Sequence, residues 1–242
     1  MPAAFSDPVW QKPQTAPAFR SELSSGSTLD AIIVGAGIMG LSTALHAARA
    51  GLSVQVLDAG AIGQGASGLN GGQVIPGLKY DPEWLIEHFG KERGEALVAF
   101  AASTADAVFD VIRDEKLAVP STRNGWIQAA HTETALKAAV NRDRQWRSRG
   151  ADVKLLDHAE IAAMTGALGY LGGWLDRRAG IIDPLSYTLE LARVASAAGA
   201  GVAEQQRVVK LAKEAGVWRV STQGGAELRA RSVVLATNAY TD

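Results

Sequence analysis

The sequence predicts an α/β domain built on a parallel central sheet, with part of an α+β lobe inserted into it. Two short apolar runs, Asp30–Val34 and Ser53–Leu57, bracket a glycine-rich turn and a helical apolar pattern, which is the strand–helix–strand seed of a parallel sheet. Near Arg123 the pattern changes to alternating strand-like and helical stretches, and the first pattern resumes later in the chain. With 242 residues, 47% of them hydrophobic, the chain can bury one large domain or two lobes.

Taken in order, residues 1–28 are rich in proline, serine and alanine and read as an irregular arm, pinned to the domain by the isolated aromatics Trp10 and Phe19. Asp30–Val34 is β-branched and wholly apolar after its first residue, as expected of a strand buried on both faces. Ile38, Leu41, Ala44, Leu45 and Ala48 recur at helical spacing, and Gly51 provides a left-handed stop. Ser53–Leu57 is the next strand, ending at Asp58. Residues 83–117 read as helix, with breaks expected at Gly90 and Gly94. Residues 125–130 and 153–156 read as strands on either side of a helix from Thr134 to Arg149, so 121–166 is assigned to the inserted lobe. A helix follows over 185–198, closed by Gly199, with short strands around 202–205, 207–212, 217–222 and 226–230. Ser232–Ala236 reads as a further, separate, buried strand.

Charge and composition narrow the function classes. Lysine plus arginine number 24 against 25 aspartate plus glutamate, so no field draws in nucleic acid or an anionic membrane. Without cysteine there is no disulfide framework, thiol nucleophile or cysteinyl link to a cofactor. His46, His88, His131 and His158 are scattered, without the spacing of a metal cage, so no metal is expected. No apolar run approaches the ~20 residues that cross a bilayer, and the N-terminus lacks a secretory profile; the cytoplasm is the expected compartment.

The first chemical motif is Gly35-Ala36-Gly37-Ile38-Met39-Gly40. In a Rossmann-like unit the first glycine permits the tight turn, the second lets a pyrophosphate approach the backbone, and the third lets helix and strand pack closely. Asp58 stands 23 residues beyond Gly35, at the end of the next strand, where a carboxylate can accept hydrogen bonds from both ribose hydroxyls of an adenosine and repel a 2′-phosphate. The plain alternative is a tight turn beside a solvated strand end. This motif does not separate FAD from NAD. A second run, Gly63 to Gln73, holds five glycines in eleven residues, with Ser67 and Asn70 among them. Such a backbone can wrap a flat, extended ligand, or it can be a flexible loop.

D-A-I-I-V-G-A-G-I-M-G-L-S-T-A-L, then G-A-S-G-L-N-G-G-Q, G-I-I-D-P and A-T-N-A-Y, in that order, resemble the D-amino-acid-oxidase-like FAD-dependent oxidoreductases, with the nearest likeness to the γ-glutamylputrescine oxidase branch, which oxidises amines and amino acids. The resemblance implies non-covalently bound FAD, with its pyrophosphate on Gly35, Gly37 and Gly40, flanked by Ile38 and Met39. It implies the adenosine ribose on Asp58, beside Ala59. Ser67, Gly68, Asn70, Gly71, Gly72 and Gln73 would run beneath the ribityl chain, the Val208 backbone would meet the adenine, and Thr237 and Asn238 would close over the ADP half. The family usually carries a basic residue where this chain has Leu69, which leaves the substrate preference open. Family members also continue past A-T-N-A-Y, so the resemblance implies an N-terminal fragment.

On this reading residues 29–120 and 167–242 form the FAD-binding domain and 121–166 the first part of the substrate-binding lobe. The expected activity is oxidation of an amine or amino acid by hydride transfer to flavin N5, giving an imine that hydrolyses. The alternatives are an NAD-dependent dehydrogenase and a truncated, non-catalytic dinucleotide-binding fragment. No catalytic residue is named: His46 reads as a structural histidine on a packed helix, Asp183 as the cap before Pro184, and Trp126 and Trp174 as core residues.

Overall fold

The structure is a computed structural model that describes Trp10, Phe19–Ser21, Leu23 and residues 26–241, so most of the arm expected over 1–28 lies outside the described residues. In chain order the elements are β1 Thr28–Val34, α1 Ile38–Arg49, β2 Val54–Leu57, α2 Ala66–Leu69, β3 Gln73–Val74, α3 Pro82–Phe89, α4 Lys91–Asp114, β4 Ser121–Thr122, β5 Trp126–Ala130, α5 Glu133–Arg147, β6 Val153–Asp157, α6 His158–Thr165, β7 Gly172–Asp176, β8 Gly180–Ile182, α7 Pro184–Ala197, β9 Gly201–Ala203, β10 Val208–Glu214, β11 Val217–Thr222 and β12 Glu227–Leu235. Two compact units result. One contains the described residues up to Gly71, Glu115–Pro120 and the chain from Asp183 onward; the other contains Gly72–Asp114 and Ser121–Ile182.

The first unit carries a sheet of order β10-β11-β12-β1-β2-β9. β12, β1, β2 and β9 run parallel, while β10, β11 and β12 form an antiparallel meander. Alternation along β1 sends Ile32 and Ile33 to opposite faces, and both are fully buried. Burial of two such side chains contributes about 3–6 kcal/mol. Ile32 joins Leu29, Leu57, Ala203, Val220 and Leu228 in one cluster. α1 and α7 pack together, and α1 buries Gly40, Leu41, Ala44 and Leu45; of the helical-spacing positions read from the sequence, Leu41, Ala44 and Leu45 are buried and Ile38 and Ala48 half-buried. The β10–β11 turn is the two-residue pair Ala215 (φ 48°) and Gly216 (φ 84°), the left-handed conformation that matches the twist of a hairpin.

α7 starts where the sequence places its cap. Asp183 accepts hydrogen bonds from the amides of Leu185 and Ser186, both at 3.0 Å, and from the Ser186 hydroxyl at 2.8 Å, while Pro184 occupies the first helical turn without needing a donor. Asp183→Ala is expected to lower stability by about 1–2 kcal/mol, or roughly 3–6 °C in melting temperature, as read by thermal unfolding. Burial pushes the Tyr187 hydroxyl on this helix up to about 12, so the ring enters the packed interior as a neutral phenol.

In the second unit, α3 and α4 fold back on each other, and the sheets β5-β7-β6 and β3-β8-β4 are antiparallel throughout. Trp174 and Trp146 are buried with Leu85, Val98 and Val153, and Trp126 meets Trp174 edge-on at 6.4 Å, the core role expected for both. α6 is closed by a capping box between Asp157 and Glu160.

The structure differs from the sequence expectations at four places. The second unit extends beyond 121–166 on both flanks, because α3 and α4 on one side and β7 and β8 on the other make their contacts within it. Only Gly90 breaks the long helix, at φ 78°; Gly94 lies inside α4, where a Cβ would come within 2.4 Å of the Ile86 Cα, so it serves close helix–helix approach instead. Residues 226–230 and 232–236 are not two strands: Glu227–Leu235 is one, and Leu235 at its carboxyl end is 54% exposed instead of buried. His46 is exposed in the last turn of α1 and not packed; a basic side chain there faces the negative end of the helix dipole.

Candidate cofactor site

The site begins where β1 stops. The Gly35 amide donates to Leu57 O and the Ala236 amide to Val34 O, both at 2.8 Å, so the turn leaves the sheet between the carboxyl ends of β2 and β12. Gly35 turns at φ 107°, and a Cβ there would meet Ala236 O at 2.7 Å. A Cβ on Gly40 would lie 2.0 Å from Gly35 O, closer than any packing permits. Gly37 is the N-cap of α1 and offers no side chain to its amides, and no acid occupies the first turn. The first-turn amides of a helix have no partner inside it, and the dipole makes that end electropositive. One of them, Ile38 N–H, is met from outside the helix by the Ser67 hydroxyl at 3.1 Å.

Asp58 follows β2 directly. Its amide donates to Ala203 O at 3.0 Å and its carbonyl accepts from Gln206 N–H at 2.7 Å, which holds its backbone between two segments. Its carboxylate is divided: one oxygen accepts the Ala36 amide at 2.7 Å, the other the Gly60 amide at 2.9 Å. Each oxygen keeps a further lone pair, so the group is fixed in position and still able to accept two more donors.

These groups open onto one cleft of about 820 Å³ at the carboxyl edge of the parallel strands, the place where ligands of such sheets collect. Of the positions singled out from the sequence, Gly35, Gly37, Asp58, Ala59, Ser67, Val208, Thr237 and Asn238 border it. Ile38, Met39, Gly40, Gly68, Asn70 and Gly71 belong to the same unit but do not line the cleft. Gly40 and Gly68 are buried behind it, whereas Met39 is 58% exposed. Gly72 and Gln73 fall in the second unit, where Gly72 O accepts the Ile182 amide and Gln73 pairs with Ile181.

Sequence reading assigns no contact to several lining residues: Gly63 and Gly65 enter only as members of the glycine run, and Gln206, Arg207, Lys210 and Tyr240 have no role. For two of these the signal was present. Gly63-x-Gly65-x-x-Gly68 repeats the spacing of Gly35-x-Gly37-x-x-Gly40. It also repeats the packing: Gly63 has φ 81°, Gly65 is the N-cap of α2, and a Cβ on Gly68 would lie 2.0 Å from Gly63 O. The two turns interlock, since a Cβ on Gly37 would meet the Ser67 hydroxyl at 2.8 Å. The other four come from β10, the two residues before it and the segment after β12, whose approach to the turn depends on strand order. Among the described residues no group of three or more His, Asp or Glu side chains is placed to hold a metal ion.

A parallel βαβ sheet with a bare glycine turn and an acid after the second strand defines a Rossmann-like α/β fold. The family model DAO, described as FAD dependent oxidoreductase, matches residues 30–242, and the chain belongs to that family. It is 31% identical over 216 residues to "Probable oxidoreductase OrdL" of Haemophilus influenzae, covering 88% of this chain and 49% of that protein. It is 29% identical over 219 residues to "Gamma-glutamylputrescine oxidoreductase" of Escherichia coli, covering 90% and 51%. The chain thus spans about half the length of these curated relatives. Among solved structures, glycine oxidase from Geobacillus kaustophilus shares the fold with a TM-score of 0.72 at 22% identity, over 86% of this chain and 55% of that one. L-amino acid deaminase from Proteus myxofaciens gives 0.73 at 22%, over 94% and 49%. No helix among the described residues is long and apolar enough to cross a membrane.

Proposed function

We propose that this chain carries the FAD-binding part of a cytoplasmic oxidoreductase acting on the C–N bond of an amine or amino acid. The observation that carries the reading is the Asp58 carboxylate, locked by the Ala36 and Gly60 amides on the rim of the cleft that the Gly35–Gly37 turn borders. The residues present fit the cofactor. The glycine turn leaves a hollow that side chains would fill, and the acid-free first turn of α1 suits a diphosphate. Asp58 receives the adenosine ribose, the Val208 backbone the adenine, and the end of β12 with Thr237 and Asn238 closes the ADP half. Ser67, Gly68, Asn70 and Gly71 form the loop we assign to the ribityl chain.

Bound in this way without a covalent link, FAD supplies the two-electron acceptor for an amine α-C–H, and the imine product hydrolyses in water. The chain's own part is to bind and orient: backbone amides donate to the diphosphate, the Asp58 carboxylate accepts from the ribose, and no side-chain nucleophile is required. Names of relatives support an amine or amino-acid substrate, since they include a gamma-glutamylputrescine oxidoreductase and glycine oxidases.

The test is direct. Purified protein titrated with FAD is expected to quench flavin fluorescence at one equivalent and to ignore excess NAD. Tight NAD binding with no FAD uptake would refute the reading. Full-length protein supplied with small amines and amino acids is then expected to bleach the flavin absorbance anaerobically, and failure with every such donor would remove the substrate class while leaving the cofactor.

A further inference from the structure

We propose that Trp10 and Phe19–Ser21, two points of the N-terminal arm, act as a strap that holds the glycine loop between Gly60 and Gly71 near both its ends and thereby sets how long the cofactor stays bound. The inference rests on the FAD reading above and adds an element that no motif of the site contains.

At the far end of the loop, the Trp10 indole N–H donates to the backbone carbonyl of Asn70 at 2.8 Å. Asn70 in turn closes α2: its side-chain amide donates to Ala66 O at 3.1 Å and Ser67 O at 3.0 Å. Ser67 is the residue whose hydroxyl meets the Ile38 amide at the start of α1. One chain of hydrogen bonds therefore runs from Trp10 through α2 to the helix end assigned to the diphosphate.

At the near end, the arm and the loop share a carboxylate. Glu204 accepts the Ile62 amide at 2.6 Å on one oxygen and the Phe19 amide at 3.2 Å on the other, and its own amide donates to Phe19 O at 2.9 Å. Arg20 bridges Ala203 and the Ser21 amide donates to Val202 O at 3.1 Å, so the arm also covers the outer edge of β9. Ile62, just before the second glycine turn, is buried with 1% exposure and cannot shift without moving Glu204.

A loop rich in glycine loses more conformational freedom on ordering than other segments, so contacts that restrain both its ends lower the cost of cofactor binding. Coupling of this kind is reciprocal: if the arm retains the cofactor, the cofactor must retain the arm.

The experiment uses the chain as it stands, loaded with FAD, beside Trp10→Phe and Trp10→Ala. Trp10→Phe keeps an aromatic ring but removes the N–H donor with the five-membered half of the indole. Release of flavin after dilution, followed by the rise in its fluorescence, is expected to be about fivefold faster in Trp10→Phe, the worth of one neutral hydrogen bond, and faster still in Trp10→Ala. The melting temperature of the cofactor-free protein falls by only about 2–4 °C in Trp10→Phe, so parent and variant are both folded when flavin release is compared. Hydrogen exchange at Phe19–Ser21 slows when FAD is added. If the parent protein binds FAD and both variants release it at the parent's rate, the strap is overturned and the cofactor reading stands. A parent that takes up no FAD overturns both.

Discussion

Gly40→Ala abolishes stable cofactor binding and lowers the melting temperature by roughly 6–12 °C, the consequence of about 3 kcal/mol of overpacking. The added methyl group would sit 2.0 Å from the Gly35 carbonyl oxygen and 3.2 Å from the Ala236 Cβ. Neither neighbour is the free end of a flexible side chain. Gly35 is itself held by the hydrogen bond its amide donates to Leu57 O at 2.8 Å, so the turn cannot retreat without leaving the sheet. α1 must therefore move away from β1, which pulls its N-cap Gly37 off the cleft. Gly224→Ala is the control, because it lies in the β11–β12 turn away from the cleft and a Cβ built there meets only the Thr222 hydroxyl, at 3.9 Å. Thermal unfolding and FAD titration of the two variants side by side check the claim; equal behaviour would show that the close approach of α1 to the turn is not what shapes the site.

Asp58→Asn weakens FAD binding by about a hundredfold, although the side chain keeps its shape. Hydrogen bonds to a charged group contribute about 1.5–3 kcal/mol each against about 1 for neutral ones, and two ribose hydroxyls are in question. The substitution also acts on the protein. The two carboxylate oxygens accept one amide each, from Ala36 at 2.7 Å and Gly60 at 2.9 Å. Asparagine has a single acceptor oxygen, so one of those amides must face an NH₂ group, and the turn or the loop after β2 rearranges. Titration with FAD and with riboflavin 5′-phosphate separates the effects: the variant is expected to lose affinity for the dinucleotide while its weak binding of the mononucleotide, which lacks the adenosine, is unaltered. Equal dinucleotide affinity in both proteins would detach Asp58 from the ribose.

Much of this was legible in the residues because the signals are local. A buried strand, a glycine at the third position of the turn and a carboxylate at the next strand end each depend on neighbours within one βαβ unit. The cap at Asp183 is local in the same sense. Readings failed where the deciding partner is distant. Leu235 looks like a core residue by its neighbours, yet β12 reaches the ligand edge of the sheet, where its last residue lines the cleft. Gly94 looks like a helix breaker until α3 packs against it. His46 lies between two apolar residues, but the helix turns it outward.

What the sequence determined by itself was the parallel βαβ seed, the turn that only glycine can make, and the acid that follows it. These are properties of short segments, set by backbone sterics and hydrogen-bonding capacity. The tertiary structure alone decided that β12, almost two hundred residues downstream, pairs with β1 and brings Ala236 against Gly35. It alone made Ser67 the cap of a helix it does not belong to, split the Asp58 carboxylate between two amides, and set Trp10 against Asn70. Such contacts depend on strand order and close packing of distant segments, which no local pattern encodes.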